Sequence, residues 1–106
     1  MSGRHALLTR RRKLNAHILA SRSVSELFRL LAAQSQLDFD HVNIATSLHR
    51  LAKLREAPGE ISAQQHKQLV QMLCGQAQIV RNEFGSRHIA NVMWALATLR
   101  LRAMPE

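Results

Sequence analysis

The chain has 106 residues, of which 46% are apolar and 4% aromatic, and its formal net charge is +8. This length suits one small domain with its own core. The composition excludes collagen-like and low-complexity chains, no apolar run is long enough for a transmembrane helix, and a single cysteine, Cys74, excludes an internal disulfide framework.

Positive charge is concentrated in the first 25 residues, which have no acidic residue and include four consecutive cations: Arg10, Arg11, Arg12 and Lys13. A basic arm beside a nearly balanced remainder is typical of chains that bind a polyanion, most often nucleic acid or an anionic membrane surface. An Arg-rich, acid-free N-terminus is also typical of an organellar import sequence, and a solvated tail has the same composition. Residues 1–21 are therefore predicted to be a basic arm with a short helix from Lys13 to Ala20.

The remainder, 22–106, is predicted to be all-α, because apolar residues recur at spacings of three and four and never alternate as in a strand. Ser23 and Glu26 have the spacing of a capping box, which predicts a helix running to about Ser35. Asp40 is predicted to cap the next helix, which extends from His41 to Arg55.

Two further helices are predicted in the second half of the chain. The stretch 56–60, which contains Pro and Gly, is the clearest linker. Ser62 and Gln65 form a second capping-box pattern, which opens a helix to about Arg81. The last helix is predicted to begin at Gly85 or Ser86 and to end near residue 102.

An internal repeat organises these helices. When the sequence is shifted by 45 residues, 39–55 aligns without gaps on 84–100, and seven of the 17 positions are identical. Phe39 and Ile44 have the spacing of a hydrophobic staple, and Phe84 and Ile89 repeat it. The pattern predicts two helix–turn–helix repeats, at about 22–57 and 62–103, that form a short α-solenoid behind the N-terminal helix.

The second helix of each repeat resembles that of the octotricopeptide repeat, an organellar helical-repeat family, and is similar to the helical regions that precede RAP domains. The resemblance is carried by Phe84, Ile89, Ala90, Asn91, Trp94, Ala95, Leu96, Ala97 and Leu99. The first copy departs from it by having His49 where Trp94 stands. The resemblance implies RNA binding in a mitochondrion or a chloroplast.

On a helical wheel, the arc opposite the apolar residues has polar and basic side chains in both repeats. These predicted RNA-binding residues are Asn43, Thr46, Arg50 and Lys53 in the first repeat and Arg87, His88 and Asn91 in the second. The alternative is an ordinary solvated helix face. Trp94 is predicted to pack in the core against a neighbouring helix, the alternative being an exposed ring that stacks on a base. Because the chain has no Tyr and few aromatic residues, recognition of RNA by charge and shape is expected rather than stacking on single-stranded bases. His49 is predicted to be half-buried.

No other chemistry is indicated by the sequence. The histidines lack metal-ligand spacing, Cys74 has no histidine near it and is predicted to be a buried structural thiol, and we expect no enzyme activity, metal, cofactor or small-molecule substrate. The leading hypothesis is an RNA-binding subunit of a mitochondrial ribosome or another ribonucleoprotein. The alternative is a protein–protein adaptor whose basic N-terminus is an import signal. We also expect the outer face of the last helix, around Leu99, Leu101 and Met104, to be covered. Three outcomes fit: the chain is a fragment of a longer repeat protein, it self-associates, or it contacts neighbouring proteins in a larger assembly.

Overall fold

A computed structural model describes residues 3–35, 39–54 and 60–103. Within these ranges the secondary structure is helical and includes no strand, which confirms the predicted all-α class. A 3₁₀ turn, Arg81–Glu83, precedes the last helix. The α-helices are α1 (Gly3–Ala20), α2 (Val24–Ala32), α3 (His41–Lys53), α4 (Ala63–Ile79) and α5 (Ser86–Ala103).

The first helix is much longer than predicted. It begins at Gly3 and not at Lys13, so the four consecutive cations lie inside an 18-residue helix. Consecutive helical residues point in directions 100° apart, which separates these like charges around the helix. Leu14 and Ile18, four residues apart on one side, are buried and attach the helix to the core. That attachment explains why the charged stretch stays helical.

The capping box predicted at α4 forms in full, whereas the one predicted at α2 differs from the prediction in one hydrogen bond. Both hydrogen bonds of the predicted capping box at the start of α4 are confirmed: Ser62 Oγ accepts from the Gln65 amide at 3.0 Å, and Gln65 Oε1 accepts from the Ser62 amide at 2.9 Å. At α2, Ser23 accepts from the Glu26 amide as predicted. The Glu26 carboxylate, however, accepts from the Arg22 amide, one residue before the expected donor.

Helix α3 lies at the centre of the molecule. It packs most extensively against α5, then against α1 and α4, whereas α1 and α5 make little contact with each other. The molecule is elongated, with extents of 54 × 27 × 20 Å. The buried apolar cluster draws on all five helices and comprises Leu14, Ile18, Val24, Leu27, Leu31, Phe39, Ile44, Leu48, Leu51, Ala52, Leu54, Leu69, Leu73, Ala95 and Leu99.

The two halves of the chain are also tied by a hydrogen bond. The Ser25 amide, in the first turn of α2, donates to the Glu60 carboxylate at 2.7 Å. A carboxylate there also interacts favourably with the positive end of the helix dipole. Residues 56–59 of the predicted linker and Met104 lie outside the described ranges. Leu99, predicted to lie on the outer face of the last helix, is instead buried in the core, because α5 packs on α3. None of the helices described combines the length and apolar character needed to cross a membrane.

Candidate nucleic-acid interface

Three of the four consecutive cations on helix α1 are exposed to solvent. Arg10, Arg12 and Lys13 are exposed, whereas Arg11 is half-buried. Leu14 and Ile18 are buried and attach the helix to the core, in which α1 packs on α3. The structure therefore fixes these cations on a helix surface, where they are available to a polyanion.

Asn43 is not on the exposed face predicted for it. Its side chain is buried, and its Oδ1 and backbone amide complete the capping box with Asp40, the predicted N-cap. Its Nδ2 donates to the Arg11 carbonyl at 3.0 Å and lies 3.5 Å from Asn15 Oδ1. The predicted exposure was wrong because α1 packs over this side of α3, and Asn43 has a structural role there.

Arg50 is half-buried and its guanidinium group is engaged within the fold. Its Nε donates to the carbonyl oxygen of the buried Ser21 at 2.9 Å, and its Nη2 donates to the same oxygen. Ser21 follows the last residue of α1, where unpaired carbonyls and the negative end of the helix dipole favour a cation. Arg50 therefore holds the end of α1 on α3, and its charge is only partly available to a ligand.

Lys53, His49 and Trp94 form a mixed aromatic and cationic patch, here called the Trp94 patch. The His49 and Trp94 ring centroids are 5.0 Å apart with the planes tilted by 41°. The Lys53 ammonium lies 5.5 Å from the Trp94 ring centroid, within cation–π range. The predicted core position of Trp94 was wrong, since the residue is 45% exposed while its ring packs on α3.

The neighbouring surface of α5 extends this patch. Arg87 and Asn91 are exposed, and they precede Trp94 at helical spacings that place all three on one side of α5. Thr46 of α3 is half-buried and is the repeat equivalent of Asn91. Arg87 and Asn91 thus offer a cation and an amide on the side of α5 that carries the indole ring, and Thr46 offers a hydroxyl on α3.

His88 lies between the repeats and not on the open surface predicted for it. It is half-buried, and its ring meets that of His41 edge to face with centroids 5.1 Å apart. Phe84 packs edge to face on the His41 ring at 6.0 Å. His41 Nδ1 also lies 3.5 Å from a Glu83 carboxylate oxygen. His88 therefore belongs to the packing between α3 and α5.

The surroundings of His49 disfavour protonation of its imidazole ring. Burial lowers the pKa of the half-buried His49 imidazole, and the nearby Lys53 and Arg50 charges lower it further. The ring is therefore neutral at pH 7, and Lys53 supplies the positive charge. The predicted half-burial of His49 is confirmed.

Cys74 is half-buried rather than fully buried, and burial raises the pKa of its thiol, which keeps it protonated. Within the ranges that the structure describes, no three His, Cys, Asp or Glu side chains are grouped to hold a metal ion. Comparison with family models, curated proteins and solved structures finds no match to this chain.

Sequence reasoning gave an exposed, base-stacking Trp94 only as the alternative and did not predict its contact with Lys53, although one signal favoured exposure. The equivalent position in the first repeat is occupied by His49, and a position that accepts a polar ring is seldom part of a dry core. An exposed aromatic ring beside a cation is suited to binding single-stranded nucleic acid, because the ring stacks on a base and the cation pairs with a phosphate.

Proposed function

We propose that this chain is a non-enzymatic RNA-binding helical-repeat protein of the octotricopeptide type. Its most concrete role is a small rRNA-contacting subunit of a mitochondrial ribosome, or of another ribonucleoprotein, with the chloroplast as the alternative compartment. The observation that carries the proposal is the Trp94 patch, in which an exposed indole lies beside the Lys53 ammonium.

The repeat relationship supports a solenoid-like arrangement for this surface. Asn43 contacts α1, and its repeat equivalent, His88, contacts α3. Helix α1 therefore packs on α3 in the way that α3 packs on α5, because the contact is made at equivalent positions of the two repeats. Adjacent second helices then present their polar sides next to one another, as repeats do when they form an extended binding surface.

In the proposed mode of binding, charge supplies affinity and the indole orients the strand. Arg10, Arg12 and Lys13 of α1 pair with phosphates without reading sequence. Trp94 stacks on one unpaired base, and Asn91 offers an amide to a base edge beside it. Arg50 contributes mainly by fixing α1 on α3, because its guanidinium donates to Ser21.

The experiment measures binding of a labelled single-stranded RNA by anisotropy over a range of salt concentrations. Lys53→Gln and Arg87→Gln each should weaken binding, and each lost phosphate contact should reduce the salt slope by about 0.7. Lys67→Gln is the matched control, since Lys67 is an exposed cation on α4. If all three variants bind like the unmodified protein, the proposed surface is wrong.

The adaptor hypothesis gives a different result in the same assay. A chain whose basic N-terminus serves only for import should bind RNA weakly at physiological salt, and α1 variants should alter its localisation instead. The mitochondrial location is tested by imaging the tagged protein in cells. The unmodified chain is compared with a variant in which Arg10, Arg12 and Lys13 are neutralised. Retention of both organellar import and RNA affinity in that variant would remove α1 from the proposal.

A further inference from the structure

Equivalent positions of the two repeats differ sharply in exposure. Ile44 is fully buried, whereas its equivalent, Ile89, is 46% exposed. Leu48 is also fully buried, whereas Met93 is 66% exposed. The small residues follow the same rule: Ala45 and Ala52 are buried, and their equivalents Ala90 and Ala97 are exposed. The second repeat thus leaves open the face that is covered in the first.

The open face includes a shallow groove between α4 and α5. Its volume is about 310 Å³, and its walls include Ala77, Phe84, Ile89, Val92 and Met93. Arg81, an exposed cation, also lines the groove. Ile79, near the end of α4, is another large exposed apolar side chain. Contiguous exposed apolar surface with a charged rim is typical of a protein interaction site.

The structure also shows what kind of element covers such a face. In the first repeat, α3 is covered by the helical pair α4 and α5, whose buried contributions to the core are Leu69, Leu73, Ala95 and Leu99. The interface between α3 and α5 is the most extensive in the molecule. Since α5 is the repeat equivalent of α3, a further helical pair could pack on α5 as α4 and α5 pack on α3.

We propose that the face formed by Ile89, Met93 and the groove beside them docks an amphipathic helical hairpin of another protein. That hairpin presents Leu- and Ala-type side chains, as α4 and α5 do towards α3, and an acidic side chain opposite Arg81. This inference rests on exposure and repeat equivalence, and it holds whether or not the chain binds RNA.

A second copy of this chain does not fit the same role. The surface that it would have to present is the side of α3 that α1 covers. Leu14 and Ile18 are buried there, and Asn43 and Arg50 are hydrogen-bonded to α1. Docking a second copy in this way would require α1 to leave its own core.

The first test supplies the hairpin within the chain. Because position 100 is equivalent to position 55, a variant in which Arg100 is followed by a second copy of 56–103 preserves the repeat spacing. The added hairpin should raise Tm by about 5 °C or more. Met93→Lys in the original repeat should abolish that gain, whereas it should leave the Tm of the 106-residue chain nearly unchanged.

The matched control is Leu19→Lys. Leu19 is 57% exposed on α1, which lies on another side of α3, so this variant should keep the full gain in Tm. An unchanged Tm on adding the hairpin, or a gain that survives Met93→Lys, would overturn the proposal.

The second test identifies the occupant in the native assembly. A photo-reactive benzoylphenylalanine at position 93 is cross-linked in cells, and the same residue at position 19 serves as the control. The proposal expects a cross-link from position 93 to an amphipathic helix of a different polypeptide. A cross-link to a second copy of this chain, or none above the position-19 level, would overturn it.

Discussion

His49 and Trp94 occupy equivalent positions of the two repeats, and their ring centroids meet at 5.0 Å. Side chains 45 residues apart can meet in this way only if α3 and α5 pack side by side in register. Ala45 and Ala52, one turn before and after His49, are buried on the same side of α3 and leave room for α5. The in-register contact places Lys53 over the indole and so creates the Trp94 patch.

The Trp94 patch predicts a direct optical signal. Trp94 is the only tryptophan of the chain, so intrinsic fluorescence reports on this patch alone. Single-stranded RNA should quench the emission, because a base that stacks on the ring excludes water and couples to it. Trp94→Leu should weaken binding by about 1–3 kcal/mol, and Trp94→Phe should retain part of the affinity.

A double-stranded RNA of the same length is the control, since its bases are not free to stack on a side chain. If single-stranded RNA binds, as shown by anisotropy, without changing the emission of Trp94, the stacking contact is wrong.

Asn43 is predicted to be structural. Asn43→Ala should lower the free energy of unfolding by about 1–3 kcal/mol, because it leaves the capping box and the contacts to α1 unsatisfied. Asn91→Ala is the matched control at an exposed asparagine, and its effect should stay within about 0.5 kcal/mol. Urea denaturation of the two variants makes the comparison; equal stabilities would contradict the assigned role.

Arg50 is predicted to act through the end of α1. Arg50→Met keeps much of the side-chain volume but removes the donors to Ser21, and it should lower the free energy of unfolding by about 1–2 kcal/mol. Arg50→Lys should recover only part of this loss, because an ammonium lacks the planar fork of a guanidinium. Thermal denaturation measures both; a full rescue by lysine would show that charge alone matters.

His49 is predicted to make stability depend on pH. Its pKa is lower in the folded protein than the ordinary value of 6.5, so the unfolded chain binds its proton more readily. Stability should therefore fall as the pH drops below about 6.5 and through the lowered folded-state pKa. His49→Gln should reduce this slope, because it removes the group whose pKa differs between the folded and unfolded chains. Denaturation curves between pH 5 and 7.5 test this; a slope unchanged by His49→Gln would contradict it.

The features predictable from the sequence are those set by local interactions. The all-helical class follows from apolar spacing, and Ser62 with Gln65 specifies the start of α4 through bonds within a single turn. The predicted start of α5, at Gly85 or Ser86, is also confirmed, since the helix begins at Ser86. Such features need no knowledge of what packs against the helix.

The errors arise where packing between distant segments decides the outcome. Asn43 lies 100° from Ile44 around α3, so the helical wheel places it on the polar side of the helix. In the structure, however, α1 covers that side of α3 and α5 covers another. A helix with neighbours on several sides buries a wider arc than an amphipathic pattern shows, and it can bury an asparagine whose hydrogen bonds are satisfied. Trp94 shows the opposite error: a large aromatic ring was predicted to be buried, but it lies at the margin of the α3–α5 contact and stays partly exposed.

The proposal that this chain binds RNA is tested most directly by ultraviolet cross-linking in cells, followed by sedimentation of the native tagged protein with and without RNase. The account predicts co-sedimentation with a large particle that RNase disperses, and RNA adducts on peptides from α1 and on the peptide that contains Trp94. Sedimentation unchanged by RNase, with no RNA adduct on either peptide, would contradict it.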